Sequence, residues 1–179
     1  ITAMNKRTRA SYASADACVK TWTARTSADD NNGWQSVCWS PELSIFVAVG
    51  TSTGTNKIMT SSDGINWTSY SSLHSNRSWN SVCWSPELSI FVAVSSIGYQ
   101  TRVITSENGT NWTHQSAPTE TWKSVCWSPE LSIFVAVSSN SNIMTSSDGT
   151  SWSSQSGPGN GNWNSVCWSP ELSIFVAVA

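Results

Sequence analysis

Fourteen residues, SVCWSPELSIFVAV, occur four times in this chain without a single difference, at 36–49, 81–94, 124–137 and 165–178. The copies start 45, 43 and 41 residues apart. A second block recurs inside the first three intervals: IMTSSDGINW at 58–67, VITSENGTNW at 103–112 and IMTSSDGTSW at 143–152. Such a period means that each copy is one supersecondary unit, unable to bury its apolar face alone, so neighbouring units must stack. Packing by itself would tolerate Ile/Val or Leu/Met exchange at a cost under about 1.5 kcal/mol. Complete identity therefore points to recent amplification.

The period inside the unit predicts four short strands. Strand a runs from Trp34 to Trp39, and Ser40-Pro41-Glu42-Leu43 then makes a tight turn in which Pro presets its φ. Strand b runs from Leu43 to Val49, with Leu43, Ile45, Val47 and Val49 on one side and Phe46 and Ala48 on the other, so it is buried on both faces. Strand c is Ile58 to Ser61. Asp63-Gly64 signals a hairpin, because Gly accepts positive φ freely, and strand d lies around Trp67-Thr68.

Four antiparallel strands in each repeat of about 40–45 residues predict an all-β chain, the blades of a β-propeller rather than a linear β-solenoid. A single domain over 1–179 is expected, with blades at 34–78, 79–121 and 122–162 and a half-blade at 163–179. Trp22 precedes Trp34 by 12 residues, as Trp67 precedes Trp79. Residues 1–33 therefore read as closing strands, c near Ala10 to Ser14 and d at Trp22-Thr23, which complete the fourth blade and remove its open edge. A larger ring, or one completed by another chain, is the alternative.

The c–d block resembles the Asp-box (BNR) repeat of sialidase-like propellers. The matching residues are Ser61, Asp63, Gly64 and Trp67, and Ser146, Asp148, Gly149 and Trp152, with one residue fewer between Asp and Gly and with Asn108 in the middle copy. The resemblance implies that Asp63, Asn108 and Asp148 are structural turn residues that hold their own backbone. It does not imply sialidase chemistry, which needs an arginine cluster, and three of the five Arg (Arg7, Arg9, Arg25) precede the first full blade.

Composition narrows the function classes. Net charge is −2 with nine scattered basic residues, which provides no footprint for nucleic acid. The longest apolar run, Ile45 to Val49, is far short of the roughly 20 residues that span a bilayer as a helix. Cys38, Cys83, Cys126 and Cys167 occupy one position in successive units, too far apart for disulfides if sheets stack about 10 Å apart. A ring of thiolates could hold a metal, but the spacing resembles no zinc site, so free buried thiols are expected and no metal or cofactor. Cys18 has no assigned role. His74 and His114 stand in variable connections with no triad or carboxylate pair around them, and the Glu of each turn (Glu42, Glu87, Glu130, Glu171) reads as solvated. No catalytic residue is expected.

Function is expected where the units differ. The b–c loops (50–57, 95–102, 138–142) and d–a loops (69–78, 114–121, 154–162) vary and emerge at one end of the ring. They carry the candidate ligand-binding residues Lys57, Tyr70, His74, Arg77, Tyr99, Arg102 and His114, together with Gln100 and Glu120. Loops on a rigid scaffold are where binding usually resides. The expectation is a non-catalytic module for a glycan or protein ligand; repeated Trp could stack on sugars or simply pack the core. The alternative is a structural repeat protein of a surface fibre or virion, self-associating through the incomplete terminal blade. Repeated free thiols suit a reducing compartment, whereas low charge and abundant Ser, Thr and Asn suit a cell or virion surface, which is favoured. Asn66, Asn76, Asn108 and Asn111 are glycosylation acceptors only in a secreted eukaryotic chain.

Overall fold

The computed structural model describes residues 23–29, 33–51, 56–71, 77–97, 102–159 and 161–179. Every regular element among them is a strand. β1 (Gly33–Ser40), β2 (Ile45–Thr51), β3 (Asn56–Ser61) and β4 (Thr68–Ser71) form one antiparallel meander. β5 (Ser78–Ser85), β6 (Ile90–Ile97), β7 (Val103–Ser106) and β8 (Thr113–Gln115) form a second. β9 (Trp122–Ser128), β10 (Ile133–Ser138), β11 (Asn142–Ser146) and β12 (Ser153–Ser156) form a third. β13 (Ser165–Ser169) and β14 (Ile174–Val178) pair with each other. The first strands β1, β5, β9 and β13 pack one on the next, so they are innermost and the sheets fan outward from them, as propeller blades do. A single residue pair, Thr51 with Ser78, joins the first two sheets.

The core is a series of layers between blades. The leading face of the first blade presents Ile45, Val47, Val49 and Ile58, and the trailing face of the second covers them with Val82, Trp84, Phe91 and Ile104. Val92, Val94 and Val103 meet Val125, Trp127 and Phe134 in the same way, and Val135 and Val137 meet Val166 and Phe175. The trailing faces of the first three blades also carry an aromatic stack that explains two Trp positions at once. Trp84 and Phe91 lie 4.5 Å apart, and Phe91 and Trp112 6.4 Å, between ring centroids. The set Trp127, Phe134 and Trp152 repeats it at 4.4 and 6.1 Å. Such tilted pairs add about 0.5–1.5 kcal/mol each beyond the area they bury.

Three expectations need correction. Strand b begins at Ile45, because Ser44 has φ 53°, a left-handed residue that breaks the extended backbone, and Leu43 sits in the turn 39% exposed. Strand d begins after the Trp, at Thr68, Thr113 and Ser153. Tyr70 and His114 consequently lie in outer strands, opposite Ile58 and Ile104, and not in loops. The closing strands expected near Ala10 to Ser14 and at Trp22, together with Cys18, lie outside the described residues, and Thr23 is in irregular backbone.

Candidate functional site

At the variable end, the long cationic side chains expected to face a ligand are turned into the protein. Lys57 is buried and its ammonium donates to the Arg77 carbonyl, and desolvation lowers its pKa. Arg77 is buried too, its pKa lowered first by desolvation and then by repulsion from Arg102. The Arg102 guanidinium donates to the carbonyls of Ser96 (2.6 Å) and Glu120 (2.8 Å), bridging the end of β6 to a d–a loop. Desolvation lowers its pKa while the Glu120 carboxylate opposes that shift. The physical reason for this inward turn is that irregular loops leave backbone carbonyls without ladder partners, and buried carbonyls must find donors.

Further bonds tie the same loops. Asn140 Nδ2 donates to Glu120 Oε2 at 2.9 Å, the Trp122 indole to the Pro118 carbonyl at 2.9 Å, and Gly157 N–H to the Ser141 carbonyl at 2.8 Å. Tyr70 is half-buried against the first interblade layer, and His114 is half-buried in β8. Of the remaining candidates, His74, Tyr99 and Gln100 lie outside the described residues. The surface left at this end among the described residues is small and polar, including Ser116, Thr119, Asn140 and Asn162.

At the opposite end, the c–d turns are self-contained. Asp63 Oδ1 accepts the backbone N–H groups of Ile65 and Asn66, both at 2.8 Å, while Ser61 Oγ accepts that of Gly64 at 2.8 Å. Asn108 Oδ1 repeats this with Thr110 and Asn111 at 2.9 and 2.8 Å, and Asp148 with Thr150 and Ser151 at 2.7 Å each. The N–H groups of Asn66 and Ile65, with the Asn66 amide, hold the Asp63 carboxyl far below the usual carboxylate range. At Asp148 partial burial pushes the other way, but the Ser151 and Thr150 N–H groups and the Ser146 hydroxyl outweigh it and hold the carboxyl at about 2. Between the second and third of these turns lies an open groove of about 580 Å³ lined by Glu107, Asn108, Asn111, Thr113, Gln115 and Asp148.

The turn glutamates are not simply solvated. Trp84 Nε1 donates to Glu42 Oε2, Trp127 Nε1 to Glu87 Oε2 and Trp168 Nε1 to Glu130 Oε2, each at 2.7 Å. Each bond reaches from one blade to the turn of the blade before. Deeper in the same interface, the Val82, Val125 and Val166 N–H groups donate to Ser36, Ser81 and Ser124 Oγ, each at 3.2 Å. The signal for this clasp was the fourfold recurrence of Glu together with Trp; the pairing itself joins residues about 40 apart. The four described cysteines are free thiols. Burial pushes Cys38 up to about 11 and Cys83 well above its ordinary value. Cys38, Cys83 and Cys126 pack against the interblade layers, whereas Cys167 is exposed.

No protein-family model and no curated protein matches the chain. Solved structures do. A streptogramin B lyase superposes with a TM-score of 0.68 at 10% identity, over 84% of this chain and 49% of that one. YCF48 bound to D1 peptide gives 0.59 at 19% identity, over 85% and 50%, and a structure of a nidogen/laminin complex gives 0.59 at 10% identity, over 79% and 54%. This chain is a β-propeller in fold. It spans about half the length of those structures, and at these identities the likeness is one of fold alone.

Proposed function

We propose that this propeller is a non-catalytic module that binds a protein segment through the loops at its variable end. The observation that carries the reading is the internal bracing of those loops: Lys57 and Arg102 are bonded to loop backbone, so the exposed polar groups between them are presented on a preformed surface. A preorganised surface loses less entropy on binding. The groups with displaced pKa support binding over catalysis, because Asp63 and Asp148 are engaged by their own turns and the shifted thiols are held protonated by burial.

A protein ligand is favoured over a glycan by the placement of tryptophan. Sugar recognition by stacking needs an exposed ring, whereas Trp79, Trp84, Trp112, Trp122 and Trp127 are buried in the interblade layers and the exposed Trp39 pairs with Phe46 beside the a–b turn, at the opposite end from the variable loops. Two of the similar structures are complexes with protein or peptide partners, nidogen with laminin and YCF48 with D1 peptide.

The test is selection of peptides from a random display library on the immobilised chain, beside a glycan array. The reading expects enriched peptides whose binding is lost when segment 116–121 is replaced by a Gly-Ser sequence of the same length. Glycan binding without peptide enrichment, or peptides that bind the replaced chain equally well, overturns it.

A further inference from the structure

The groove between the second and third c–d turns differs in charge from the same place one blade earlier. The middle turn reads Glu107-Asn108, where the first reads Ser62-Asp63 and the third Ser147-Asp148. Asn108 Oδ1 accepts the Thr110 and Asn111 N–H groups at 2.9 and 2.8 Å, the bonds that Asp63 makes in the first turn, so this turn is held without a charge. The negative charge has moved by one residue to Glu107, which is exposed and lines the groove of about 580 Å³. The third blade adds Asp148 to the same lining. At the junction of the first and second blades the matching positions are Ser62 and Asn108, neither of them charged.

Lys and Arg are absent from the lining, which otherwise offers hydroxyls and amides beside the apolar Ile90. Gln115 Nε2 donates to Thr105 Oγ1 at 2.7 Å, which fixes that amide on the wall. A cleft lined by one sign of charge focuses its field and attracts the opposite sign more strongly than the same carboxylates would on a flat surface. Its volume suits a small molecule or a few peptide residues rather than a lone ion. We propose that this groove binds an alkyl-guanidinium or alkyl-ammonium group, its cation between Glu107 and Asp148 and its stem against Ile90. An arginine or lysine side chain of a partner protein supplies such a group, and so does a free polyamine. Guanidinium suits the walls best, since its planar fork of donors can meet a carboxylate and an amide carbonyl at once. The groove lies at the opposite end from the variable loops and shares no residue with segment 116–121, so it stands or falls separately from the peptide-binding reading.

The test is calorimetric titration of the full chain at low ionic strength with three probes: a short arginine-containing peptide, the same peptide with citrulline in place of arginine, and spermidine. The arginine peptide is expected to bind, and to bind less tightly as salt is raised. Its uncharged citrulline form is expected to bind about tenfold more weakly, the size of one charge-assisted hydrogen bond. Glu107→Ser is expected to weaken the arginine peptide by about the same tenfold. Asp148→Asn has a smaller effect, because that carboxylate is shared with the Thr150 and Ser151 N–H groups of its own turn. Both variants introduce a residue that this chain already carries at the matching place, Ser62 and Ser147 in one case and Asn108 in the other, so the turns are kept, and unchanged circular dichroism checks it. Tighter binding of the peptide assigns the groove to a protein partner, and tighter binding of spermidine assigns it to a free polyamine. Binding of neither, equal binding of the citrulline peptide, or titrations indifferent to Glu107→Ser overturn the proposal.

Discussion

Residues 81–94 and 165–178 are the same fourteen amino acids, yet Val92 and Val94 are fully buried while Val176 and Val178 are 45% and 55% exposed. Nothing in the segment differs; only the neighbour does. Strand b has two apolar faces, and each face is covered by a different blade. Burial in this molecule is therefore a property of junctions, and stability is a sum over blades and the contacts between adjacent ones.

The comparison breaks most easily at the aromatic stack. Phe91 is fully buried between Trp84 and Trp112, so Phe91→Ala is expected to cost about 3–5 kcal/mol. Phe175 has Trp168 on one side and no described d-strand Trp beyond it, and Phe175→Ala is expected to cost roughly half as much. Urea unfolding of both variants checks this, and equal losses would mean that a further ring completes the stack on Phe175.

Glycine sharpens it next. Gly64 and Gly149 both hold positive φ, 70° and 74°, so either Ala substitution costs about 1–2 kcal/mol in backbone strain. A Cβ on Gly149 would in addition lie 2.7 Å from Ile90 Cδ1 of the preceding blade, whereas the nearest atom to one on Gly64 is 3.6 Å away. Gly149→Ala should thus be worse than Gly64→Ala by about 1–3 kcal/mol in the same urea assay.

Smaller still is the clasp. Glu87→Ala leaves the Trp127 indole without its acceptor and is expected to lower stability by about 1–2 kcal/mol. Glu171→Ala removes no bond among the described residues and should change stability to thermal unfolding by less than about 0.5 kcal/mol.

The smallest effect is acid dependence. Asp148 is held at about 2 against an ordinary 3.8, so its contribution is present above the ordinary value and is lost as pH falls from about 4 towards 2. Asn108 makes the same turn with no ionisable group. Asp148→Asn should therefore leave the urea midpoint at pH 7 nearly unchanged and reduce its loss on acidification; an unaltered acid response would show that other carboxylates carry it.

The fold was legible because repetition multiplied weak local signals. One Asp-Gly or one apolar run decides little, but the same turn and the same alternation in register several times leave few architectures. What repetition could not show was the partner of each side chain. Glu87 looks like any polar turn residue until Trp127 is brought over it by the stacking of blades. Lys57 and Arg77 misled for the opposite reason: such cations are usually solvated, and here both are buried, the Lys57 ammonium donating to the Arg77 carbonyl. Leu43 was misplaced because alternation continues in sequence past the left-handed Ser44, where the backbone does not.

Because the first two strands carry one sequence in every blade, they hold no information about which blade belongs next to which. Only tethering decides: a short connector gives the adjacent blade a local concentration in the millimolar range, against which a distant blade or another molecule competes poorly. Order along the chain is thus kinetic and entropic in origin, and it weakens as protein concentration approaches that range. Refolding of such a chain is expected to yield fewer correctly ordered molecules as it is made more concentrated, through shuffled but individually native junctions.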